Sequence, residues 1–147
     1  MEHSLVEIGD TAHALRRAFD RRAAALGVTR AQWRVLARLN RQPGLRQVEL
    51  ADLLDVEPIT LCRIVDRLEE ASLVERKRDP ADRRAWRLVL TAQANPIIEK
   101  LHQLAAELTA QAFAGVAERD VERLFSALAK VRENVAALQP PKKAANT

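Results

Sequence analysis

The chain has 147 residues, which suits one domain of ordinary size with a hydrophobic core. With 48% hydrophobic and 30% charged residues, and no apolar run near the length of a membrane span, the composition excludes a membrane-spanning class and favours a mainly helical, water-soluble protein. A formal net charge of +4 favours an anionic partner, and DNA, RNA and a membrane surface all meet that description.

The first predicted element is an amphipathic helix from Ser4 to Leu26. Its apolar residues recur at steps of three and four: Leu5, Ile8, Ala12, Leu15, Phe19 and Leu26. One further position of this stripe is occupied by Arg22. Gly27 ends this helix. The opposite side carries Arg16, Arg17 and Arg21, which we interpret as a solvated face. A second helix is predicted from Arg30 to Arg41, where Gln42-Pro43-Gly44 terminates it.

Two further helices follow closely. Gln47 to Leu54 has helical spacing, and the connector from Asp55 to Pro58 leads into a helix ending at Ala71. At 100° per residue the latter separates a core face from an outer face; the core face holds Leu61, Ile64, Val65 and Leu68, and the outer face holds Ile59, Thr60, Arg63 and Arg67. The pair is typical of a helix-turn-helix whose second helix fits a major groove, although an ordinary amphipathic helix gives the same pattern.

The next stretch predicts a β-hairpin with a basic tip. Its strands are Leu73 to Arg78 and Trp86 to Leu90, and the segment from Arg76 to Arg87 holds six Lys or Arg against two Asp. A hairpin of this charge beside a helix-turn-helix is typical of a wing that places an arginine in a minor groove.

Two more helices are predicted beyond the hairpin, separated by Gly115. Ile97, Leu101, Leu104 and Leu108 mark the first; a seven-residue repeat marks the second, through Val121, Leu124, Leu128, Val131, Val135 and Leu138. For Pro96 we expect either a kink or a helix start capped by Asn95. Residues 140–147 are predicted to be a disordered tail.

These motifs together resemble the MarR family of winged helix-turn-helix regulators. The resemblance covers most of the chain and is strongest from Thr29 to Thr91; it rests on Thr29-x-x-Gln32-Trp33-x-Val35-Leu36, Thr60-Leu61-x-Arg63-x-Val65-Asp66-Arg67-Leu68-Glu69, Leu73-Val74-Glu75-Arg76, Asp79-Pro80-x-Asp82-Arg83-Arg84 and Leu90-Thr91. Ser72 and Ala94 stand where many members have Gly, and Ala94 with Pro96 is similar to the SlyA branch. The implied fold is mainly α with a small β-hairpin wing.

The resemblance implies a homodimer with a winged DNA-binding domain at 29–91 and a helical dimerisation region at 1–28 and 92–139. In the alternative, the terminal helices pack on one another within a monomer. The apolar side chains expected at the dimer interface are Leu5, Ile8, Leu15, Leu124, Leu128, Val131 and Val135.

It also implies a repressor that binds a near-palindromic operator in double-stranded DNA. The expected contacts are Ile59, Thr60, Arg63, Arg67, Arg83 and Arg84, with Asp82 orienting a wing arginine. Ile59 equally fits packing at the helix start. A small aromatic carboxylate is the expected effector, in a cleft that includes Trp33, Leu36 and Ala37, with Arg17 or Arg63 holding its charge; Trp33 fits a core position as well.

Other classes have less support in the sequence. The three histidines form no zinc motif, there is no Gly-rich phosphate loop, and the single cysteine, Cys62, lacks a nearby histidine, so we expect neither an enzyme nor a cofactor. One cysteine cannot form an intramolecular disulfide, which predicts a cytoplasmic protein. The alternative function is a helical scaffold that does not bind DNA sequence-specifically, with the hairpin charge serving solubility.

Overall fold

The computed structural model describes residues 2–138 and has six helices and one small sheet within that range. The elements in chain order are α1 (Glu2–Ala24), α2 (Arg30–Arg41), β1 (Leu45–Arg46), α3 (Gln47–Leu53), α4 (Pro58–Glu70), β2 (Val74–Arg78), β3 (Trp86–Leu90), a 3-10 turn (Ala92–Ala94), α5 (Asn95–Ala112) and α6 (Glu118–Leu138). The predicted fold class is confirmed. The predicted tail at 140–147 lies outside the described residues.

The sheet has three antiparallel strands in the order β1-β3-β2, rather than the two predicted. In β2 and β3, Val74 pairs with Leu90 and Arg78 with Trp86, while Leu45 of β1 pairs with Leu88 of β3. Leu88 is fully buried at the centre of the sheet. The additional strand brings the residues just before α3 alongside the wing.

Helix α4 ends at Glu70, and the turn that follows it contains Ser72, one of the two positions where the resemblance implies glycine. Ser72 adopts a left-handed backbone with φ of 61°, and its N–H donates to the Glu69 carbonyl at 2.9 Å. The Leu73 N–H donates to the Leu68 carbonyl at 2.9 Å, completing a Schellman motif. The Thr91 hydroxyl donates to the Ser72 carbonyl, so β3's end also holds this turn.

The start of α5 differs from both alternatives expected for Pro96. The 3-10 turn from Ala92 leads directly into α5, and Asn95 has helical φ and ψ of −54° and −47°. Asn95 is therefore the first residue of α5 rather than its cap. Pro96 lies in the first helical turn, where its missing N–H costs no helical hydrogen bond.

The core is built mainly by α2, α3 and α4, with further buried side chains from α1, the sheet, the 3-10 turn and α5. Leu61, Val65 and Leu68 are buried as the helical wheel predicted, and Ile64 is half-buried. The remaining buried apolar side chains are Ala23, Val28, Val35, Leu36, Leu39, Leu50, Ala51, Leu54, Val74, Leu88, Ala94, Ile98 and Leu101.

The described chain forms two compact units, one up to Thr109 and the other from Ala110. The second consists of the end of α5, a turn in which Gly115 has φ of +82°, and α6. Its aromatic pair, Phe113 and Phe125, has ring centroids 5.6 Å apart. No side chain of α6 is buried, and its predicted apolar repeat is largely exposed, with Val131 at 47%.

Candidate nucleic-acid interface

The outer face of α4 is open to solvent over its whole length. Ile59 is 63% exposed, and Thr60, Arg63 and Arg67 are exposed as well. Ile59 therefore does not pack at the start of the helix, which was the alternative expected for it. Pro58 occupies the first helical position, and the Leu61 N–H donates to the Glu57 carbonyl at 3.0 Å. The face therefore combines hydroxyl, guanidinium and apolar groups, the chemistry that reads base edges.

A tight turn fixes α4 relative to α3. Asp55 takes a left-handed φ of 54°, and the Val56 N–H donates to the Ala51 carbonyl at 2.9 Å. Arg34 of α2 donates through Nη2 to the Leu54 carbonyl at 2.8 Å. These two hydrogen bonds hold the turn between α3 and α4 from within the module.

Arg76 of β2 joins three elements of the module. Its guanidinium donates to Asp66 at 2.7 Å and Glu69 at 3.1 Å, and to the Cys62 carbonyl at 3.2 Å, all in α4. Its Nε also donates to Gln47 of α3 at 3.2 Å. Burial opposes its charge, but the two carboxylates outweigh burial and raise the pKa of Arg76. Arg76 is therefore structural, although it belongs to the basic hairpin.

The tip of the wing exposes Arg83 and Arg84 and is ordered by short-range contacts. Asp82 accepts the Arg84 backbone N–H at 2.9 Å, and Arg78 donates to the Arg83 carbonyl at 2.7 Å. The Arg78 guanidinium also lies over the Trp86 ring, 4.7 Å from its centroid. Asp82 thus orders the turn through a main-chain N–H, whereas the sequence argument expected a guanidinium as its partner.

Asp79, whose role was not predicted from the sequence, is buried at the base of the wing with only 2% of its surface exposed. Its Oδ2 accepts Arg46 Nε at 2.8 Å and lies 3.1 Å from Arg87 Nε. Its Oδ1 accepts the Ala81 N–H at 2.9 Å. Asp79 stands in the wing motif of the sequence, but its arginine partners lie 33 residues before it and eight after it. No local pattern signals that convergence.

These contacts determine the charge of Asp79. The Ala81 N–H lowers the pKa of its carboxyl against the opposing effect of burial, and Arg46 and Arg87 lower it further. Because the folded pKa lies below the unfolded one, the ionised group stabilises the fold above the ordinary aspartate pKa. That contribution is lost as the pH falls through the lowered value. The group is ionised at neutral pH.

A separate cleft of about 280 Å³ lies among α1, α2 and α5 and is lined by Phe19, Trp33, Ala37, Asn40, Arg41, Leu101, His102 and Ala105. Phe19 and Trp33 meet edge to face at 4.8 Å, and Trp33 Nε1 donates to Asp20 at 2.8 Å. Two of the predicted effector residues, Trp33 and Ala37, are therefore on the cleft wall.

The other two predicted effector residues are not on that wall. Leu36 was wrongly expected there, since it is fully buried in the core. It lies three residues after Trp33, whereas Ala37 lies four after it, and that single step turns the side chain inward. Arg17 is exposed on α1 but does not line the cleft, and neither does Arg63. The cleft is lined instead by Arg41 and His102.

Comparison with known proteins identifies the family. Residues 28–86 match the model of the MarR family. The chain is similar to transcriptional regulator PA3341, with 33% identity over 90% of this chain and 97% of that one and a TM-score of 0.79. It is also similar to wild-type apo MarR from E. coli, with 30% identity over 84% of this chain and 93% of that one and a TM-score of 0.76. The chain belongs to the MarR family.

A MarR transcriptional regulator from Methanosarcina mazei Go1 is similar at 26% identity, over 90% of this chain and 98% of that one, with a TM-score of 0.79. MarR proteins are transcriptional regulators that bind DNA and act as dimers, and membership of this family confirms that the chain is a DNA-binding transcriptional regulator. The MarR helix-turn-helix is thus the α3 and α4 pair, and its wing is the sheet with the β2–β3 turn.

Two departures from the usual MarR pattern are accommodated locally. Ser72 takes the left-handed conformation that Gly adopts most easily, and Ala94 is fully buried in the 3-10 turn.

None of the helices within residues 2–138 is sufficiently long and apolar to span a bilayer.

Proposed function

We propose that this MarR protein is a homodimeric repressor that binds a near-palindromic operator. The observation that carries the proposal is the outer face of α4, whose Ile59, Thr60, Arg63 and Arg67 are all exposed on a helix anchored by Arg34 and Arg76. An anchored helix with a free mixed-polarity face is suited to the major groove, since its side chains reach base edges without reordering the backbone.

Each DNA contact follows from its chemistry. Arg63 is suited to a bidentate contact with guanine, Thr60 to a hydroxyl contact with a base or phosphate, and Ile59 to a thymine methyl. Arg67, a full turn beyond Arg63, is suited to phosphate. On the wing, Arg83 and Arg84 are exposed at a turn ordered by Asp82, and we assign them to the minor groove beside the site.

The proposed dimer uses residues 1–28 and 92–139, and 29–91 forms the DNA-binding domain. Apolar side chains that remain exposed or half-buried in the described chain support this assignment. Leu5 is 78% exposed, and Ile8, Leu15, Leu124, Val131 and Val135 are exposed too, while Leu128 is half-buried. Burying such stripes against a second copy removes apolar surface from water and sets the spacing between two recognition helices.

We further propose that a small aromatic carboxylate binds the cleft and releases the operator. The ring would pack against Phe19 and Trp33, and Arg41 would pair with the carboxylate, since Arg17 does not line the cleft. A cleft of this size suits a single substituted ring. Within the family, Ala94 and Pro96 favour the SlyA-like branch for this chain.

The central test is in vitro selection of duplexes bound by the full chain, followed by titration of the selected and scrambled duplexes at several salt concentrations. We expect a selected site with two inverted halves about one helical turn apart, and binding that weakens with salt. If no duplex is enriched and binding shows no salt dependence, the helical scaffold alternative is favoured instead.

The effector is tested in a Trp86→Phe background, so that fluorescence reports Trp33 alone. Salicylate added at constant ionic strength is expected to quench Trp33 and dissociate the operator complex, and Arg41→Gln is expected to weaken both effects. Sodium chloride at the same concentration is the control. Dissociation that sodium chloride reproduces would result from screening and would contradict the effector proposal alone.

A further inference from the structure

The buried carboxylate of Asp79 gathers two arginines at the base of the wing. Arg46 is the residue immediately before α3, and Arg87 lies in β3; both guanidinium groups are within 3.1 Å of Asp79 Oδ2. Arg87 Nη1 also donates to the Gly44 carbonyl at 2.9 Å. The carboxylate itself is inaccessible, whereas 35% of the Arg46 side chain and 41% of the Arg87 side chain remain exposed.

This arrangement has two physical effects. First, Asp79 ties the wing loop, through Ala81, to the segment that leads into α3, so the wing tip and the recognition module move together. Second, one carboxylate partly neutralises two cations that solvent can reach. Without it, both guanidinium groups would be free to contact the phosphates of any duplex, because phosphate contacts do not depend on sequence.

We propose that Asp79 is a specificity-determining positioning residue, which holds the wing in register with α4 and withholds Arg46 and Arg87 from DNA phosphates. This inference rests on the proposed duplex-binding function. Its consequence is that Asp79 suppresses affinity for random duplex while supporting affinity for the operator. A carboxylate with a merely structural role would alter stability, and it would leave the salt dependence of random-duplex binding unchanged.

The test compares Asp79→Asn with Glu75→Gln in the full chain, using the duplex selected by the parent protein and a scrambled duplex of equal length. Both variants lose one negative charge in or next to β2, but Glu75 is exposed and pairs only weakly with Lys77, at 4.0 Å. An asparagine amide keeps an acceptor for Ala81 yet cannot neutralise two guanidinium groups. Random-duplex binding should therefore become more salt-dependent in Asp79→Asn.

The expected result is a slope of log affinity against log salt that steepens by about one to two for Asp79→Asn on scrambled duplex, since each phosphate contact contributes about 0.9. The ratio of operator to random affinity should fall about tenfold. Glu75→Gln should match the parent. If the two variants give the same slope, the inference is overturned; if the parent binds no duplex, the proposed function fails instead.

A second variant keeps the test decisive if Asp79→Asn does not fold. Arg46→Gln leaves Asp79 paired with Arg87 and Ala81, so the base of the wing retains most of its contacts. Because Arg46 pairs with Asp79 rather than phosphate in the parent, Arg46→Gln should lower the operator-to-random ratio without changing the salt slope. A slope that becomes shallower by about one would show that Arg46 contacts phosphate and would overturn the inference.

Discussion

The winged module buries its apolar side chains within one chain, whereas the apolar side chains of α6 remain largely exposed. In the module, Leu39 and Leu61 are fully buried, while the exposed face of α4 carries hydroxyl and guanidinium groups. In α6, Leu124 and Val131 recur just as regularly, yet they remain exposed. Apolar periodicity thus identifies the face of a helix that needs covering, but it does not say whether the same chain or a partner covers it.

Deleting everything after Gly115 should have the largest effect on DNA binding, because it removes the exposed apolar face of α6. We expect operator affinity to fall by about 100-fold or more, because a monomer loses the contribution of the second half-site. Sedimentation of the truncated chain should give a monomer or an aggregate, and the full chain is the control. A truncated chain that remains a stable dimer and binds the operator would place the interface outside α6.

The two kinds of apolar residue should respond differently to truncation of their side chains. Leu39→Ala leaves a cavity in a closed core and should lower the free energy of unfolding by about 2–5 kcal/mol. Val131→Ala should instead raise the dimer dissociation constant, with little effect on a monomer. Denaturation at several protein concentrations separates these effects. Equal, concentration-independent losses in both variants would show that Val131 is covered within one chain.

Substitutions of the exposed arginines of α4 and the wing should change DNA binding. Arg63→Ala should weaken the selected operator by about 1–3 kcal/mol and spare scrambled duplex, because a base contact carries the sequence information. Arg84→Ala should weaken binding and flatten an A·T preference at the outer edges of the site. Arg123→Ala, on the exposed side of α6, is the control. Parent-like binding by both wing and helix variants would refute the proposed mode of binding.

The smallest expected effect concerns Ser72. Since its φ is 61°, Ser72→Gly removes the Cβ strain of a left-handed residue and should stabilise the protein by less than about 1 kcal/mol. Ser126→Gly is the matched control, since Ser126 lies inside α6 and glycine there costs about 0.5 kcal/mol. Thermal unfolding should shift upwards in the first variant and downwards in the second. A downward shift for both would mean that Ser72 is unstrained.

Local patterns predicted the elements that local interactions form. The bounds of α2 and β3 and the two faces of α4 followed from periodicity and from Gly27, Gly44 and Pro58. Strand β1 was missed because two residues show no periodicity, and its pairing with β3 spans 43 positions from Leu45 to Leu88. Such a pairing depends on the folded chain and leaves no short-range signal.

The same distinction applies to the site. The exposed residues of α4 and the wing tip were predicted from helical spacing and from the resemblance, since these face away from the core. Asp79 was not, because its role depends on guanidinium groups brought from other elements. Leu36 was misassigned for a related reason, since proximity to Trp33 along a helix does not fix which side chain meets a cleft.

The order of strands in the sheet bears on aggregation. The edge strands are β1 and β2, and an edge strand is where a neighbouring chain can add by intermolecular β-pairing. One edge, β1, is only two residues long, and the other, β2, carries Glu75, Arg76, Lys77 and Arg78 in succession. Shortness on one side and consecutive charged side chains on the other discourage strand addition. Self-association through the sheet is thereby disfavoured.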